Sequence, residues 1–252
     1  MTTQHFVSPE GIDGDEVRFD PDEARHLFKV LRCRPSDEVE VIDGEGGWYR
    51  VRLDVVERRG ASGTVLERRR DVGEPRAACT IAVGTLKSAD RFETFVEKAV
   101  ELGVTQILPI TTARTQITRL RLDRLRKIMI AALKQSRRSR LPLLTTVRTF
   151  EHVVAGMPDN ALCIMAHEAG PGRASFADLV RSRPAGQPIV ILIGPEGGFT
   201  DSEVQAAVDN GWQLASLGPR RLRAETAAIA AVAGVMLHAG RSRPEVLPPF
   251  QG

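Results

Sequence analysis

The stretch ILIGPEGGFT, Ile191–Thr200, sets three glycines and a proline directly behind a run of aliphatic residues. An apolar run that ends in glycine-rich turn chemistry and then meets a helix signal marks the carboxyl end of a buried strand, where α/β proteins hold ligands. The helix signal is Thr200-Asp-Ser-Glu203, a capping box that predicts a helix from Asp201. Glycine between strand and helix tolerates positive φ and lets backbone N–H and C=O groups approach a ligand with no Cβ in the way. The spacing is neither G-x-G-x-x-G nor a P-loop, which argues against a dinucleotide or a triphosphate. Taken alone, a tight connection that merely needs glycines explains this stretch about as well.

Working outward, short β-rich runs recur at CTIAVGTL, TQILPI, ALCIMA, PIVILIG and QLASLG, separated by amphipathic stretches. One stretch sets Phe92, Phe95, Val96 and Ala99 on a helical face; another does so with Leu122, Leu125, Met129, Ala132 and Leu133. Alternation of this kind predicts an α/β fold, a parallel sheet with helices on both sides. A second glycine-bearing strand end, SLGPRRLRAETAAIAAVAGVML at Ser216–Leu237, leads into an alanine-rich helix suited to close packing on a sheet or a partner subunit. Glu196 and Glu225 then stand behind two strand ends able to converge on one pocket. An ion pair with Arg223 or another arginine is the plainer role for either acid.

The first seventy or so residues read differently. VRFDP, EVEVIDGEGGWYRVRLDVVER and ASGTVLERR alternate apolar and polar residues around Gly and Asp-Gly turns, predicting a small antiparallel β-barrel or sandwich. EARHLFKVLR interrupts it as a helix, with Ala24, Leu27, Val30 and Leu31 at helical spacing and Pro21–Glu23 as its start. The charged stretch at Glu67–Ala77 reads as a linker, giving domains at 1–72 and 73–252.

Composition is that of a soluble globular protein, 42% hydrophobic and 27% charged. The first residues carry no secretory-leader pattern and no apolar run is long enough for a membrane span, so a cytoplasmic protein is expected. Cys33, Cys79 and Cys163 fit neither a disulfide framework nor a zinc site, and His5, His26, His152, His167 and His238 lack ligand spacing, so no metal is expected. The net charge of +3 is unevenly spread: Ala113–Arg140 holds ten basic residues against Asp123 alone, a local +9 that leaves −6 elsewhere. With so few acids interleaved to form i,i+4 pairs, that segment suits a polyanion.

The pair IGPEGGFT and LGPRRLRAETA, with ELGV at Glu101–Val104 and KQSRRSRLP at Lys134–Pro142, resembles the bacterial ribosomal RNA small subunit methyltransferase E family, the 16S rRNA uracil N3-methyltransferases. ARHLFKVLR and VIDGEGG resemble that family's barrel, so the likeness spans nearly the whole chain. It implies the SPOUT superfamily fold: a PUA-like, RNA-binding β-barrel over 1–72, then a parallel-sheet methyltransferase domain over 73–252 with a trefoil knot. It further implies S-adenosylmethionine as cofactor, uridine 1498 of 16S rRNA in the 30S subunit as substrate, and a homodimer. A ribose 2′-O-methyltransferase and a non-catalytic ribosome-binding protein are the rival readings.

By the same resemblance three loops hold the cofactor. The first, around Met165–Glu168, supplies Met165 and His167; the second, Ile193–Gly198, supplies Ile193, Gly194, Pro195, Glu196, Gly197 and Gly198. The third supplies Leu217, Gly218, Leu222, Arg223, Ala224 and Thr226. Backbone donors and acceptors suit adenine and ribose, and leucines suit the base. Because the methyl donor is already activated, positioning should dominate catalysis, with loss of the uridine N3 proton the remaining task. Arg223 is assigned to the developing uracil anion and Glu225 to the proton, with His167 and His26 as runner-up bases. Arg32, Arg137, Arg138 and Arg140 are assigned to RNA phosphates, for which guanidinium forks are well shaped. Three departures from the family pattern stand out: Lys134 in place of glutamate, and Arg137 and Ser36 in place of glycine.

Overall fold

The computed structural model describes residues 4–168 and 174–238, with the backbone alone of 239 and 245–247. The chain divides into two compact units: Met1–Glu74 with Ile130–Leu141 and Arg241–Gly252, and Pro75–Met129 with Pro142–Gly240.

The first unit is built on strands β1 (Gln4–Phe6), β2 (Ile12–Asp13), β3 (Glu16–Phe19), β4 (Glu38–Ile42), β5 (Gly47–Glu57) and β6 (Gly60–Arg70). They pair in the order β1-β4-β5-β6-β3-β2, antiparallel except for β1 beside β4, as a curled half-barrel; the backbone of Glu245–Leu247 adds a further antiparallel strand to β6. Period-two alternation carries into burial. Val17, Phe19, Val39, Val41, Val51 and Leu53 point inward while their charged neighbours stay outside. The β4–β5 hairpin is held by Asp43, whose Oδ1 accepts the amides of Glu45 at 2.7 Å and Gly47 at 2.8 Å.

Helix α1 (Pro21–Arg25) begins where the sequence indicates, Asp20 accepting the amides of Asp22 and Glu23. It then widens into a π-helical turn over His26–Leu31. Hydrogen bonds of the i→i+5 kind rotate the later side chains off the face that the i→i+4 ladder would bury. Ala24 and Leu27 are buried as expected, but Val30 is 65% and Leu31 38% exposed, so the expected four-residue face is only half realised.

The second unit contains β7 (Cys79–Gly84), α2 (Ala89–Leu102), β8 (Gln106–Thr111), the first half of α3 (Leu122–Ser136), β9 (Leu143–Leu144), β10 (Arg148–Thr149), α4 (Phe150–Ala155), β11 (Leu162–Ala166), β12 (Ala174–Ser175), α5 (Phe176–Ser182), β13 (Ile189–Ile193), α6 (Asp201–Asp209), β14 (Gln213–Ser216) and α7 (Ala224–Ala239). Its sheet runs β10-β8-β7-β13-β11-β14-β12, every pairing parallel. β13 is central and buried at all five residues, as a parallel strand covered on both faces must be. α2 is capped by Ser88 and closed by Gly103 at φ 113°, with Phe92, Phe95, Val96 and Ala99 inside. The alanine-rich α7 lies against α2, α5, β7 and β13, its small side chains admitting that close approach.

α3 passes from one unit to the other. The stretch after it, Arg137–Leu141, belongs with the half-barrel: the Gly46 amide donates to the Ser139 carbonyl at 3.1 Å, and the Leu141 amide to the Gly44 carbonyl at 2.8 Å. Glu74 anchors the same stretch. Its carboxylate takes the Arg138 guanidinium at 2.7 Å and the amides of Ser139 and Arg140 at 3.1 and 2.9 Å.

Candidate functional site

Parallel registry brings three strand ends side by side. Met165 on β11 lies opposite Leu192 on β13, and Ala166 opposite Ala215 on β14. The loops that leave these ends enclose a cavity of about 550 Å³, within the range of small-molecule sites. The β13 loop contributes Ile193 through Phe199, the β14 loop Ser216–Gly218 and Arg220–Ala224, and the β11 end Ala166–Glu168.

The β13 loop is fixed by its own chemistry. Thr200 caps α6 and Glu203 returns the bond, its Oε2 accepting the Thr200 amide at 2.8 Å. The other oxygen, Oε1, accepts the Ala113 amide at 2.8 Å, so one buried carboxylate ties the loop after β8 to the loop after β13. From that neighbouring loop Arg114 donates to the Gly197 carbonyl at 2.8 Å. Glu196 accepts the Lys87 amide at 3.1 Å. At Gly84, the last residue of β7, a Cβ would stand 2.5 Å from the Pro195 nitrogen, so only glycine lets the loop cross that strand end.

Five arginines and two glutamates line the cavity, a net +3 without His167. Such a site draws carboxylate and phosphate groups. Among the described residues no group of His, Cys, Asp and Glu is arranged to hold a metal ion.

Of the residues assigned from sequence to the cofactor, His167, Ile193–Gly198, Leu217, Gly218 and Leu222–Ala224 line this cavity. Met165 does not: it is fully buried in the core between α4, α6 and the sheet, because strand alternation turns it inward two residues before the loop begins. Thr226 is exposed on α7 and outside the lining. Glu225 also stays outside. Its side chain, 12% exposed, sets Oε1 3.7 Å from Arg91 Nε, while Oε2 is buried with no hydrogen-bond partner among the described residues. Arg91 and Arg114 are lining residues the sequence reading did not assign here; each follows the carboxyl end of a sheet strand, the signal already used for the glycine loops.

Part of the basic segment is neutralised from a distance. Arg124 forks onto Glu93 at 2.7 Å, Lys134 pairs with Glu23, and Arg140 reaches Asp71 at 3.1 Å. Arg138 is 2% exposed and bound to Glu74, which removes it from the phosphate-binding set: a guanidinium buried on a carboxylate has nothing left to offer RNA. Arg32 and Arg137 are exposed, both in the left-handed region at φ 55° and 59°. Burial raises the acid range of Glu23, yet hydrogen bonds from His5 and Lys134 outweigh it and hold the carboxyl below its usual value.

Residues 73–236 match the RNA methyltransferase domain family, and 19–66 the RNA methyltransferase PUA domain. The ribosomal RNA small subunit methyltransferase E of Synechocystis is 33% identical over 240 residues, 93% of this chain and 77% of that protein. The chain belongs to the ribosomal RNA small subunit methyltransferase E family. The Bacillus subtilis methyltransferase E is 29% identical over 85% of this chain and 87% of its own length. The methyltransferase E of Neisseria gonorrhoeae, solved bound to S-adenosyl methionine, superposes with a TM-score of 0.84 at 31% identity, over 94% of this chain and 98% of that one. A methyltransferase from Legionella pneumophila, also solved with this cofactor, gives 0.80 at 25% identity, over 94% and 98%.

Proposed function

We propose that the protein transfers a methyl group from S-adenosylmethionine to N3 of uridine 1498 in 16S ribosomal RNA. The observation that carries this reading is the meeting of the β11, β13 and β14 ends around one cavity, in a chain of the methyltransferase E family.

The lining suits the cofactor. Backbone groups of Gly194–Gly198 and Leu217–Gly218 would hold ribose and adenine, Leu217 and Leu222 would offer apolar surface to the base, and the lining arginines would suit the methionyl carboxylate. When bound, the cofactor would supply an electrophilic methyl, the N3–C bond forming as the C–S bond breaks with its electron pair going to sulfur, and the N3 proton would pass to His167, which lines the cavity. Arg223, at the cavity, stabilises the negative charge that spreads to a uracil carbonyl. Glu225 faces Arg91 instead of the cavity, so its part is to orient Arg91; it is not proposed as the direct proton acceptor. Arg32, Arg137 and Arg140 are proposed for RNA phosphates, with the half-barrel as the RNA-binding domain and 73–252 as the methyltransferase domain.

The same reading carries a knotted passage of the chain at the cofactor loops, a homodimer, the assembled 30S particle as substrate and a cytoplasmic setting. Among the described residues no helix is long and apolar enough to cross a membrane. The test is incubation of 30S particles lacking the modification with protein and S-adenosylmethionine, followed by mass analysis of nucleosides. N3-methyluridine at position 1498 is expected. A methylated ribose, or no methylation with cofactor bound, overturns the proposal.

A further inference from the structure

Beside the cofactor cavity lies a second one, of about 440 Å³, lined by Lys87, Ala113, Arg114, Thr115, Gln116, Glu196 and Gly197. The two share Arg114, Glu196 and Gly197. Their common wall is thin where it matters, because Gly197 contributes backbone alone and a Cβ there would meet Arg114 Cβ at 3.0 Å. The second lining has no leucine, isoleucine or aromatic side chain. Nothing in it resembles a bed for adenine. It offers instead an ammonium, a guanidinium and a neutral amide, with the Glu196 carboxylate engaged by the Lys87 amide.

Lys87 and Gln116 are exposed, and among the described residues neither side chain has a hydrogen-bond or ion-pair partner. The frame around them is held fast. The Thr112 amide donates to Thr115 Oγ1 at 2.8 Å, the Ala113 amide to Glu203 at 2.8 Å, and Arg114 to Gly197 at 2.8 Å. Lys87, on the loop after β7 and with its amide donating to Glu196 at 3.1 Å, and Gln116, on the preorganised loop after β8, are groups positioned for a ligand, since an ordered frame lowers the entropy lost on binding. Farther along that loop Arg119 and Arg121 are exposed, extending positive charge away from the cavity.

We propose that this second cavity is the acceptor subsite and takes the uridine 5′-phosphate unit of RNA turned out of its strand. Lys87 and Arg114 hold the phosphate, and the Gln116 amide donates to a pyrimidine carbonyl. A methyl acceptor has to approach the donor from a separate direction within van der Waals reach, and the wall at Gly197 is where these two cavities adjoin. Neighbouring phosphates then fall to Arg119 and Arg121, consistent with the share of RNA contacts that go to backbone. The inference rests on the first cavity holding S-adenosylmethionine.

The test uses the full chain. Cofactor binding is measured by calorimetry, and binding of uridine 5′-monophosphate by nuclear magnetic resonance in the presence of S-adenosylhomocysteine, for wild type, Lys87→Ala, Lys87→Arg and Gln116→Ala. Losing a hydrogen bond to a charged group should weaken the nucleotide about tenfold in Lys87→Ala, with Lys87→Arg restoring it, and several-fold in Gln116→Ala. Cofactor affinity and thermal unfolding should stay at wild-type values, and KM for RNA should rise with the nucleotide's Kd. Nucleotide affinity unchanged in both alanine variants overturns the subsite, as does displacement of the nucleotide by S-adenosylhomocysteine. A wild-type protein that binds the nucleotide but not the cofactor retains the cavity as a nucleotide site and sinks the methyltransferase reading instead.

Discussion

Tyr49 is the single tyrosine of the chain, so its ionisation can be followed without interference. Its hydroxyl donates to Asp43 Oδ2 at 3.0 Å, on the residue whose other oxygen shapes the β4–β5 hairpin. Burial, followed by the charge of Asp43 and the hydrogen bond to it, pushes the phenol up to about 12, against a small opposing pull from Arg68 and Arg70. Folding therefore favours the neutral phenol. Its contribution to stability is complete below the unfolded value of about 10 and is lost as pH climbs towards the folded value. Titration of tyrosinate absorbance should show a midpoint near 12 in the native protein and about 10 in denaturant. A native midpoint already at the denatured value would mean that the Tyr49–Asp43 bond does not form in solution. Two other residues were legible through resemblance alone. Ser36 and Arg137, which the resemblance reads as departures from glycine, both adopt positive φ, 76° and 59°, a conformation most side chains reach only at a cost. No local pattern in the chain itself announces that cost.

At the scale of elements, legibility followed the range of the forces involved. Strand alternation and helix periodicity are local, so the half-barrel strands, the five principal strands of the parallel sheet and the capping box at Thr200 all stand where their patterns put them. Val30 and Leu31 fail because a π-helical turn changes the rotation per residue midway through an apparently regular face. Met165 fails for a different reason: a motif fixes the loop but not the residue at which alternation ends. The crossing of β7 by the β13 loop had no signal beyond one glycine, yet the geometry there is severe. In Gly84→Ala the added methyl would lie 2.5 Å from the Pro195 nitrogen and 2.6 Å from its Cδ, so the loop backbone has to move. Overpacking of this kind costs about 1–3 kcal/mol, and a loop displaced from its cofactor should bind it at least about tenfold more weakly. Calorimetry with S-adenosylmethionine checks this, alongside circular dichroism to establish that the variant folds. Wild-type affinity in a folded Gly84→Ala protein would show that the loop tolerates displacement and does not position the cofactor.

For the whole molecule the decisive quantity is where charge is free. The run from Ala113 to Arg140 has one acid within it, which in sequence reads as an unneutralised polycation. In three dimensions Glu23, Asp71, Glu74 and Glu93 supply partners to Lys134, Arg140, Arg138 and Arg124 from 31 to 111 residues away, a separation at which no i,i+4 count can find them. The division into units is similarly hidden, because Ile130–Leu141 joins the half-barrel through Glu74 and the Gly44–Gly46 backbone, contacts remote in sequence. Neighbouring arginines therefore have opposite duties. Arg138→Ala leaves the Glu74 carboxylate buried without its cation, a change of about 3–5 kcal/mol in stability, whereas exposed Arg137 has no such debt. RNA affinity measured against salt concentration separates the two. Arg137→Ala should lower the slope by about one counterion at unchanged unfolding temperature. Arg138→Ala should lower the unfolding temperature and, in the fraction still folded, keep the wild-type slope. A reduced slope in Arg138→Ala at wild-type stability would return that guanidinium to the RNA surface and dissolve the Glu74 anchor.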